Sequence, residues 1–562
     1  MESLDTSVVS ARILLDVAIA HGVETIILSP GSRNTPLLIG ASARKKLKKY
    51  IINDERTAAF TALGIATVSQ KPVALACTSG SALYNYAPAI AEAFYRHIPL
   101  TVISADRPLQ WISQDSQTLV QPYALSGIVK GSYSIPSQNS MQGSANENFL
   151  TEYEWYVNRI SNEALNLAQR DVKGPVHINI EFEAPFNGLQ PYRDEEIRII
   201  RETELSKNLN VEKIKELASR ISEKKVLIVA GQLSPDHKLQ RALSDFSRLT
   251  NVFVLAEPLS NLHLDSLNLV SNQLFSPEYN SELKELNPDI IISIGGIPVS
   301  ENLKSFVRNC EDAEVWTLGD TNSGDDRYMR LVNHFDVSPD RFFKSLVSMI
   351  RHLSRKGLEI KNKGYREKWI DLMRKFRKSR TEFLDNDKWS EIKALKIITQ
   401  HIPDNYNLFL SNGMLIRKTM DVISRLPHSV YANRGVSGIE GTNATALGAS
   451  LSYKGPSLLL TGDMSFSYCP DILNLAKLGG DLRIIVINNK GGGIFREIAT
   501  TRSLPCREEY FCNAPELPLE KLAEAYSWAY VKADSEKSLI GALSSVFSQD
   551  KTIVEVFVPN EI

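Results

Sequence analysis

Two stretches, Ser457-Leu458-Leu459-Leu460-Thr461-Gly462-Asp463 and Leu482-Arg483-Ile484-Ile485-Val486-Ile487-Asn488-Asn489-Lys490-Gly491-Gly492-Gly493, decide how this chain is read. Each is a short apolar run that stops at turn residues, the pattern of a buried parallel strand handing over to a loop. A helical stretch separates them. Gly462 lets the backbone turn closely at the first strand end, where Asp463 offers a hard carboxylate oxygen. Asn489 adds an amide oxygen from the second, and the carbonyl of Gly491 can complete the set. Mg²⁺ prefers such oxygens and usually completes its octahedron with substrate phosphates. The backbone N–H groups of a glycine-rich loop, Gly492 among them, can approach a diphosphate. Two ordinary strand-end turns would use the same residue types, so the rest of the chain has to decide between these readings.

Working outward, the same strand-then-turn pattern recurs at 25–29, 73–77, 100–104 and 176–180. It returns at 226–230, 252–256, 290–294 and 315–318, and again at 408–411 and 553–557. Strands alternating with helical stretches argue for parallel α/β sheets that bind ligands at the carboxyl ends of their strands. Three such layers account for 562 residues. The expected limits are 1–189, 206–350 and 390–562, with a charged first linker at 190–205 and a basic linker at 351–389. Residues 351–380 carry twelve Lys/Arg against three Asp/Glu. That run is either a polyanion-binding face or a solvated connecting helix with a narrow apolar stripe of Trp369, Leu372, Met373 and Phe376.

Composition removes several function classes. Hydrophobic residues make up 43% and charged residues 23%, as in ordinary globular chains. Lys+Arg 64 against Asp+Glu 65 leaves a net charge of −1, so no global field draws the chain to nucleic acid or to an anionic membrane. Any anionic ligand must be held by local arginines. Five scattered cysteines without a C-x-x-C pair support neither a disulfide framework nor a cysteine-based zinc site. No apolar run approaches the ~20 residues of a membrane span. The first residues are acidic rather than basic, so no signal peptide is visible and the cytoplasm is the expected location. There is no Gly-Lys dipeptide, no G-x-G-x-x-G after a strand, no H-E-x-x-H and no G-x-S-x-G. The commonest nucleotide, zinc-hydrolase and serine-hydrolase readings therefore lack support.

The paired strand ends, Gly462-Asp463 and Asn488-Asn489, stand in a spacing that resembles the thiamine-diphosphate enzymes. A matching half-site belongs in the first domain. Thiamine diphosphate becomes a nucleophile once its C2 proton is removed, and a carboxylate hydrogen-bonded to the pyrimidine N1′ favours the tautomer that removes it. Glu55, in Asn53-Asp54-Glu55-Arg56 before a helical stretch, suits that role. Taken alone it would be a first-turn carboxylate favourable to the helix dipole by ~0.3–1 kcal/mol.

The resemblance then narrows to one family. Ser29-Pro30-Gly31-Ser32-Arg33-Asn34-Thr35-Pro36-Leu37, Asp54-Glu55-Arg56, Thr78-Ser79-Gly80 and Ala105-Asp106-Arg107-Pro108 carry it in the first domain, with Gln117. Asn433-Arg434-Gly435-Val436-Ser437-Gly438-Ile439 and residues 488–495 carry it in the third. These resemble the 2-succinyl-5-enolpyruvyl-6-hydroxy-3-cyclohexene-1-carboxylate synthases, thiamine-diphosphate enzymes of menaquinone biosynthesis. The resemblance implies three doubly wound parallel-sheet α/β domains: pyrimidine-binding, central and diphosphate-binding. It implies decarboxylation of 2-oxoglutarate followed by 1,4-addition of the succinyl-semialdehyde carbanion to isochorismate. For cofactor it implies thiamine diphosphate held by Glu55, Thr78, Gly80, Asn412, Ile439, Gly462, Asp463, Asn489 and Gly492. Mg²⁺ or Mn²⁺ would sit on Asp463, Asn489 and Gly491. For substrate it implies Ser32, Arg33, Arg107, Gln117, Arg417, Arg434, Phe495 and Ile498, with Ile439 bending the cofactor. Both substrates are dicarboxylates, and the four arginines offer planar bidentate donors. A homodimer with shared active sites is implied, and a tetramer of two such dimers also fits. Neither nucleic acid nor membrane enters as a partner.

The chain departs from the family pattern twice. Val299-Ser300-Glu301-Asn302-Leu303-Lys304 places Glu301 where the family often has a lysine, and Gly413 replaces a serine four residues before Arg417. Two other readings stay open: a different thiamine-diphosphate enzyme, such as a 2-oxoacid decarboxylase or an acetolactate-synthase-like carboligase, and a binding protein that keeps only the fold. The superfamily's decarboxylases commonly carry a catalytic histidine pair, which this chain lacks.

Overall fold

The computed structural model describes residues 4–141, 149–194, 196–203, 207–319, 325–513 and 516–559. Three parallel sheets carry the architecture. In spatial order the N-terminal sheet runs Lys48–Ile51, Thr25–Leu28, Val73–Cys77, Leu100–Asp106, Val176–Glu181, Ser132–Ile135. The central sheet runs Phe253–Ala256, Val226–Ala230, Ile290–Ile294, Glu314–Leu318, Leu331–Phe335. The C-terminal sheet runs Ser429–Tyr431, Asn407–Leu410, Ser457–Gly462, Leu482–Asn488, Thr552–Phe557, Ala529–Ala533. If the strands of each sheet are numbered along the chain, both outer sheets have the order 2-1-3-4-6-5. In such sheets the order reverses between strands 1 and 3, and the crevice outside their carboxyl ends is the natural ligand site. Ser29 and Thr78 follow those two strands in the first sheet, and Ser411 and Asp463 follow them in the last.

The chain divides into two compact units, residues 1–204 with 435–457 and 468–482, and residues 205–434 with 458–467 and 483–562. The first unit contains the N-terminal sheet and its core, in which Leu14, Ile26, Ile103, Ile178 and Val157 are buried. Its helix Glu55–Ser69 lies against helix Thr442–Ser452 at very short range. A β-carbon on Gly64 would stand 2.0 Å from the Thr445 carbonyl oxygen, and one on Gly448 would stand 1.9 Å from that of Thr61. Only glycine permits backbones to approach so closely. The charged stretch 190–205 is strapped onto this unit over its described residues, with residues 195, 204 and 205 outside them. Pro191 pairs with Leu4 in a short antiparallel ribbon. Asn158, Asn162 and Asn166, spaced four apart on helix Phe149–Gln169, hydrogen-bond the backbone of Arg198 and Ile200 at 2.7–2.8 Å.

The second unit holds the central sheet, with apolar cores on both faces. The basic run 351–380 spans the end of helix Pro339–Ser354 and most of helix Tyr365–Asn386. Its apolar stripe is buried against the sheet: Trp369 stacks on Phe253 at 5.4 Å between ring centroids, and Leu372, Met373 and Phe376 join the same core. A stripe that narrow suffices because one helical face covers one side of a sheet edge. The C-terminal core gathers Leu395, Ile398, Leu408, Leu458, Ile485 and Val554.

Gly448→Ala is expected to lower stability by about 1–3 kcal/mol, the range for overpacking a tight contact. Gly541→Ala, on helix Glu536–Ser548 with nothing within 4 Å of the added carbon, should instead gain roughly 0.5–1 kcal/mol. Thermal unfolding midpoints of the two variants, moving in opposite directions, check the assignment.

Candidate active site

In the first unit the loop after Thr25–Leu28 is shaped by Asn34, whose side chain is fully buried. Its Nδ2 donates to the Ser29 carbonyl and its Oδ1 accepts from Gly31 N–H, both at 2.9 Å. Arg33 N–H donates to Thr78 Oγ1 at 3.3 Å, tying this loop to the one after the third strand. The Arg33 guanidinium donates to the Phe182 carbonyl at 2.9 Å and lies 4.9 Å from the centre of the Phe186 ring. Arg107, buried, donates from Nη1 to Ser79 Oγ at 2.9 Å and to the Gln117 carbonyl at 3.1 Å, and from Nε to Asp115 at 2.9 Å. Burial and the neighbouring Arg107 charge both push the Arg33 guanidinium below its ordinary pKa. The carboxylates of Asp115 and Asp106 oppose that shift, so the two guanidiniums sit in one loop cluster partly compensated by acids. The Ser32 hydroxyl and the Gln117 amide are exposed and make no hydrogen bond among the described residues. Gln117 sits at φ 53°, a left-handed conformation that loops at functional sites often hold.

Gly80 is positioned from behind. Its N–H donates to Gln121 Oε1 at 2.7 Å, and Gln121 Nε2 donates to Asn179 Oδ1 at 2.8 Å. Ser104 Oγ also donates to Asn179 Oδ1 at 2.8 Å, while Asn179 Nδ2 donates to Asp106 at 2.9 Å. With its proton committed, Ser104 Oγ must accept from His177 Nε2 at 2.7 Å, so His177 is the neutral Nε2–H tautomer. Glu55 is the first residue of its helix, half-buried, behind an Asp54 cap that accepts Thr57 N–H at 2.7 Å. It lies near the end of the third strand: burial raises the pKa of Cys77, and the Glu55 charge raises it further. Ile439 is half-buried in the same unit. Its loop is held by Glu92, whose carboxylate accepts the N–H groups of Gly435 and Val436, each at 2.8 Å.

The second unit gathers the remaining predicted residues. Asp463 is buried, and its oxygens accept Met464 N–H at 2.7 Å and Gly491 N–H at 2.8 Å. The two strand ends quoted first are therefore in direct contact. Burial raises the Asp463 pKa, the two amides and the more distant Arg496 charge opposing, and Asp463 makes no ion pair among the described residues. A buried carboxylate that makes no ion pair suits a bound cation, so the oxygens present fit a divalent metal. The Gly491 carbonyl accepts from Arg496 Nη1 at 2.8 Å, so that expected ligand already serves a cationic group. Gly492, at φ 58°, would place a β-carbon 2.4 Å from Cys512 Cα, so the loop takes this path only with glycine there. Gly462 N–H donates to Ser411 Oγ at 3.2 Å. Asn412 donates to the Asn433 carbonyl at 2.6 Å and accepts from Arg434 at 3.0 Å. Arg417 is half-buried and has no hydrogen-bond or ion-pair partner among the described residues. Phe495 packs on Phe511 at 5.4 Å, and Ile498 follows its helix half-buried. Glu301 pairs with Lys304 at 2.7 Å in the first turn of helix Glu301–Asn309, which neutralises the charge that set this chain apart.

Sequence reasoning missed the buried acids behind these loops. Glu92 is one, and Glu257 is a second, accepting Val299 and Ser300 N–H at 2.8 Å each. Glu391 is a third, bound to Lys418 and Asn489. A charged residue beside an apolar run is the signal they share, and exposed acids share it too.

Burial lowers the His177 pKa to about 4 from 6.5. Between those values the unfolded chain binds a proton that the folded chain does not. Stability is therefore lost as pH falls from about 6.5 toward 4, by on the order of 3 kcal/mol at the lower end. His177→Gln removes this proton, so its unfolding midpoint should fall less steeply than wild type over that window. Parallel pH profiles would contradict the assignment.

Comparison with known proteins bears on the whole chain. The model for the thiamine pyrophosphate enzyme N-terminal TPP-binding domain matches residues 9–125, the middle-domain model 189–410 and the C-terminal TPP-binding domain model 414–556. A 2-succinyl-5-enolpyruvyl-6-hydroxy-3-cyclohexene-1-carboxylate synthase of Porphyromonas gingivalis is 36% identical, covering 96% of this chain and 93% of its own. The enzyme of the same name from Flavobacterium johnsoniae is also 36% identical, over 98% and 96%. Among solved structures, benzoylformate decarboxylase from Polynucleobacter necessarius superposes with a TM-score of 0.69 at 16% identity, covering 98% of this chain and 99% of that one, which shows a shared fold. With both TPP-binding modules in place and near-complete coverage by such relatives, the chain belongs to the thiamine-diphosphate-dependent 2-succinyl-5-enolpyruvyl-6-hydroxy-3-cyclohexene-1-carboxylate synthase family.

Proposed function

We propose that the chain decarboxylates 2-oxoglutarate and adds the remaining four-carbon unit to isochorismate. The product would be 2-succinyl-5-enolpyruvyl-6-hydroxy-3-cyclohexene-1-carboxylate, in a cytoplasmic step of menaquinone biosynthesis. The observation that carries this reading, beyond the family, is the Arg33–Arg107 pair held together at one loop cluster. Two adjacent guanidiniums suit dicarboxylates better than the monocarboxylates of simpler 2-oxoacid decarboxylases. Arg417 and Arg434 supply further cationic donors, and Phe495 and Ile498 supply apolar walls.

Thiamine diphosphate, when bound, supplies a thiazolium centre that stabilises the negative charge left by a departing carboxylate. Glu55 would hold a proton against the pyrimidine N1′ of that cofactor. Asp463 and Asn489 would give hard oxygens to Mg²⁺ or Mn²⁺, and the amides around Gly462 and Gly492 would face the diphosphate. Thr78, Gly80, Asn412 and Ile439 would complete the cofactor contacts. Ser32 and Gln117, with their polar groups unspent, would hydrogen-bond the substrate. A product assay by mass, with 2-oxoglutarate, isochorismate, thiamine diphosphate and Mg²⁺, tests the reading. Untouched isochorismate alongside consumption of another acceptor would refute it at the level of substrate.

Glu55→Gln should keep the fold and the bound cofactor while losing ~10²–10⁴-fold in turnover, the usual worth of a general acid–base group. Wild-type turnover in the cofactor-loaded variant would remove Glu55 from this role.

The same proposal extends to assembly. Glu55 belongs to one compact unit and Asp463 to the other, and in the proposed homodimer one protomer supplies the first and its partner the second. A tetramer of two such dimers is compatible. Mixing Glu55→Gln with Asp463→Ala under subunit exchange should restore activity, because each heterodimer carries one intact site. Background activity after exchange is verified by mass spectrometry would exclude shared sites.

A further inference from the structure

Glu391, Lys418, Glu497 and Asn489 form a cluster of charge and amide within the second unit. Glu391, the first residue of helix Glu391–His401, is only 4% exposed. Its Oε2 accepts from Lys418 Nζ at 3.0 Å and from Asn489 Nδ2 at 3.3 Å. Lys418 also pairs with Glu497 at 2.7 Å, at the end of the short helix that follows the glycine-rich loop. Lys418 follows Arg417, Glu497 precedes Ile498, and Asn489 lies two residues before the Gly491 amide that binds Asp463.

We propose that Glu391 is a positioning residue that fixes the orientation of the Asn489 carboxamide, committing its NH₂ inward and leaving Oδ1 as the atom free to coordinate a divalent cation. The inference rests on the reading of Asp463 and Asn489 as the cation site. A carboxylate offers acceptors only, so the amide atom facing Glu391 must be the nitrogen. The opposite flip would set two oxygens against each other in a buried place, where repulsion is poorly screened. On its other side Glu391 faces a cation directly, the Lys418 ammonium standing 3.0 Å from Oε2 in a buried ion pair. Partners that orient a metal ligand without touching the metal are typically worth 10–100-fold in affinity. Glu391 thereby joins the cation site to the helix bearing Arg417, and through Lys418 to the helix bearing Phe495.

The test is Mn²⁺ titration followed by electron paramagnetic resonance of the free ion, with thiamine diphosphate present. Wild type is compared with Glu391→Gln, Glu497→Gln and Asp463→Ala, and metal-free unfolding midpoints are recorded. Glu391→Gln should weaken Mn²⁺ binding by about 10-fold or more, because a glutamine can offer either its oxygen or its NH₂ to Asn489. Glu497→Gln changes a second partner of Lys418 without touching Asn489 and should keep wild-type affinity. Equal weakening in both would mean that the effect travels through Lys418 and would overturn the proposal. Unchanged affinity in Glu391→Gln, with binding lost in Asp463→Ala, would overturn it while leaving the cation site standing. Unchanged affinity in Asp463→Ala would instead sink the cation site itself. Should Glu391→Gln not fold, Glu391→Asp gives the same reading: it keeps the charge beside Lys418 but falls short of Asn489, so wild-type affinity there would also overturn the proposal.

Discussion

A carboxylate taken out of water must accept hydrogen bonds from whatever surrounds it, and here the donors are repeatedly the backbone amides of the loops at the sheet ends. Glu92 takes Gly435 and Val436, Glu257 takes Val299 and Ser300, and Asp463 takes Met464 and Gly491. Asp421 accepts the Ser271 hydroxyl and the Asn272 amide in the same manner. Each acid accepts two hydrogen bonds from loop or helix-start groups and so ties down the path of a loop. The cost is a carboxylate whose pKa burial pushes upward, as at Asp463, Glu257 and Asp421. Among these, Asp463 stands where a cation would relieve that cost, so structural anchor and candidate ligand coincide.

The outer sheets repeat one strand order and place their candidate residues at equivalent positions. Both place the carboxyl ends of strands 1 and 3 beside the reversal in strand order. In the first sheet those ends carry Ser32, Arg33, Thr78 and Gly80, which suit organic anions and a pyrimidine ring. In the last they carry Asn412, Gly462 and Asp463, which suit phosphate and metal. The same topology is thus used twice with different loop chemistry, and the central sheet, ordered 2-1-3-4-5, lacks the paired signature.

Much of this was legible in the chain because buried central strands must be apolar. The runs at 73–77, 226–230 and 290–294 correspond to strands with every residue buried. The strands that escaped notice are mostly edges: Lys48–Ile51, Ser132–Ile135, Leu331–Phe335 and Ala529–Ala533. An edge strand faces solvent along one side and keeps polar residues there. Its composition therefore looks like a loop, as the exposed Lys48 and Lys532 illustrate. The charged stretches at 190–205 and 351–380 show their helix and apolar stripe in the sequence at most, and not what they pack against. Their backbones and apolar stripes are engaged by elements distant in sequence, such as Asn158 and Phe253, which local charge does not reveal.

The sequence by itself determined the α/β class, the Gly462-Asp463 and Asn488-Asn489 strand ends, and the arginine-bearing motifs, since each depends on residues adjacent along the chain. Tertiary structure alone decided which oxygens and amides meet. Asp463 reaches Gly491, Gly80 leans on Gln121, and Glu391 finds both Lys418 and Asn489. Those pairings join residues tens of positions apart or more, and a buried acid differs from an exposed one only in what the fold brings against it. The desolvation that makes such an acid demand partners arises only once the chain has closed around it.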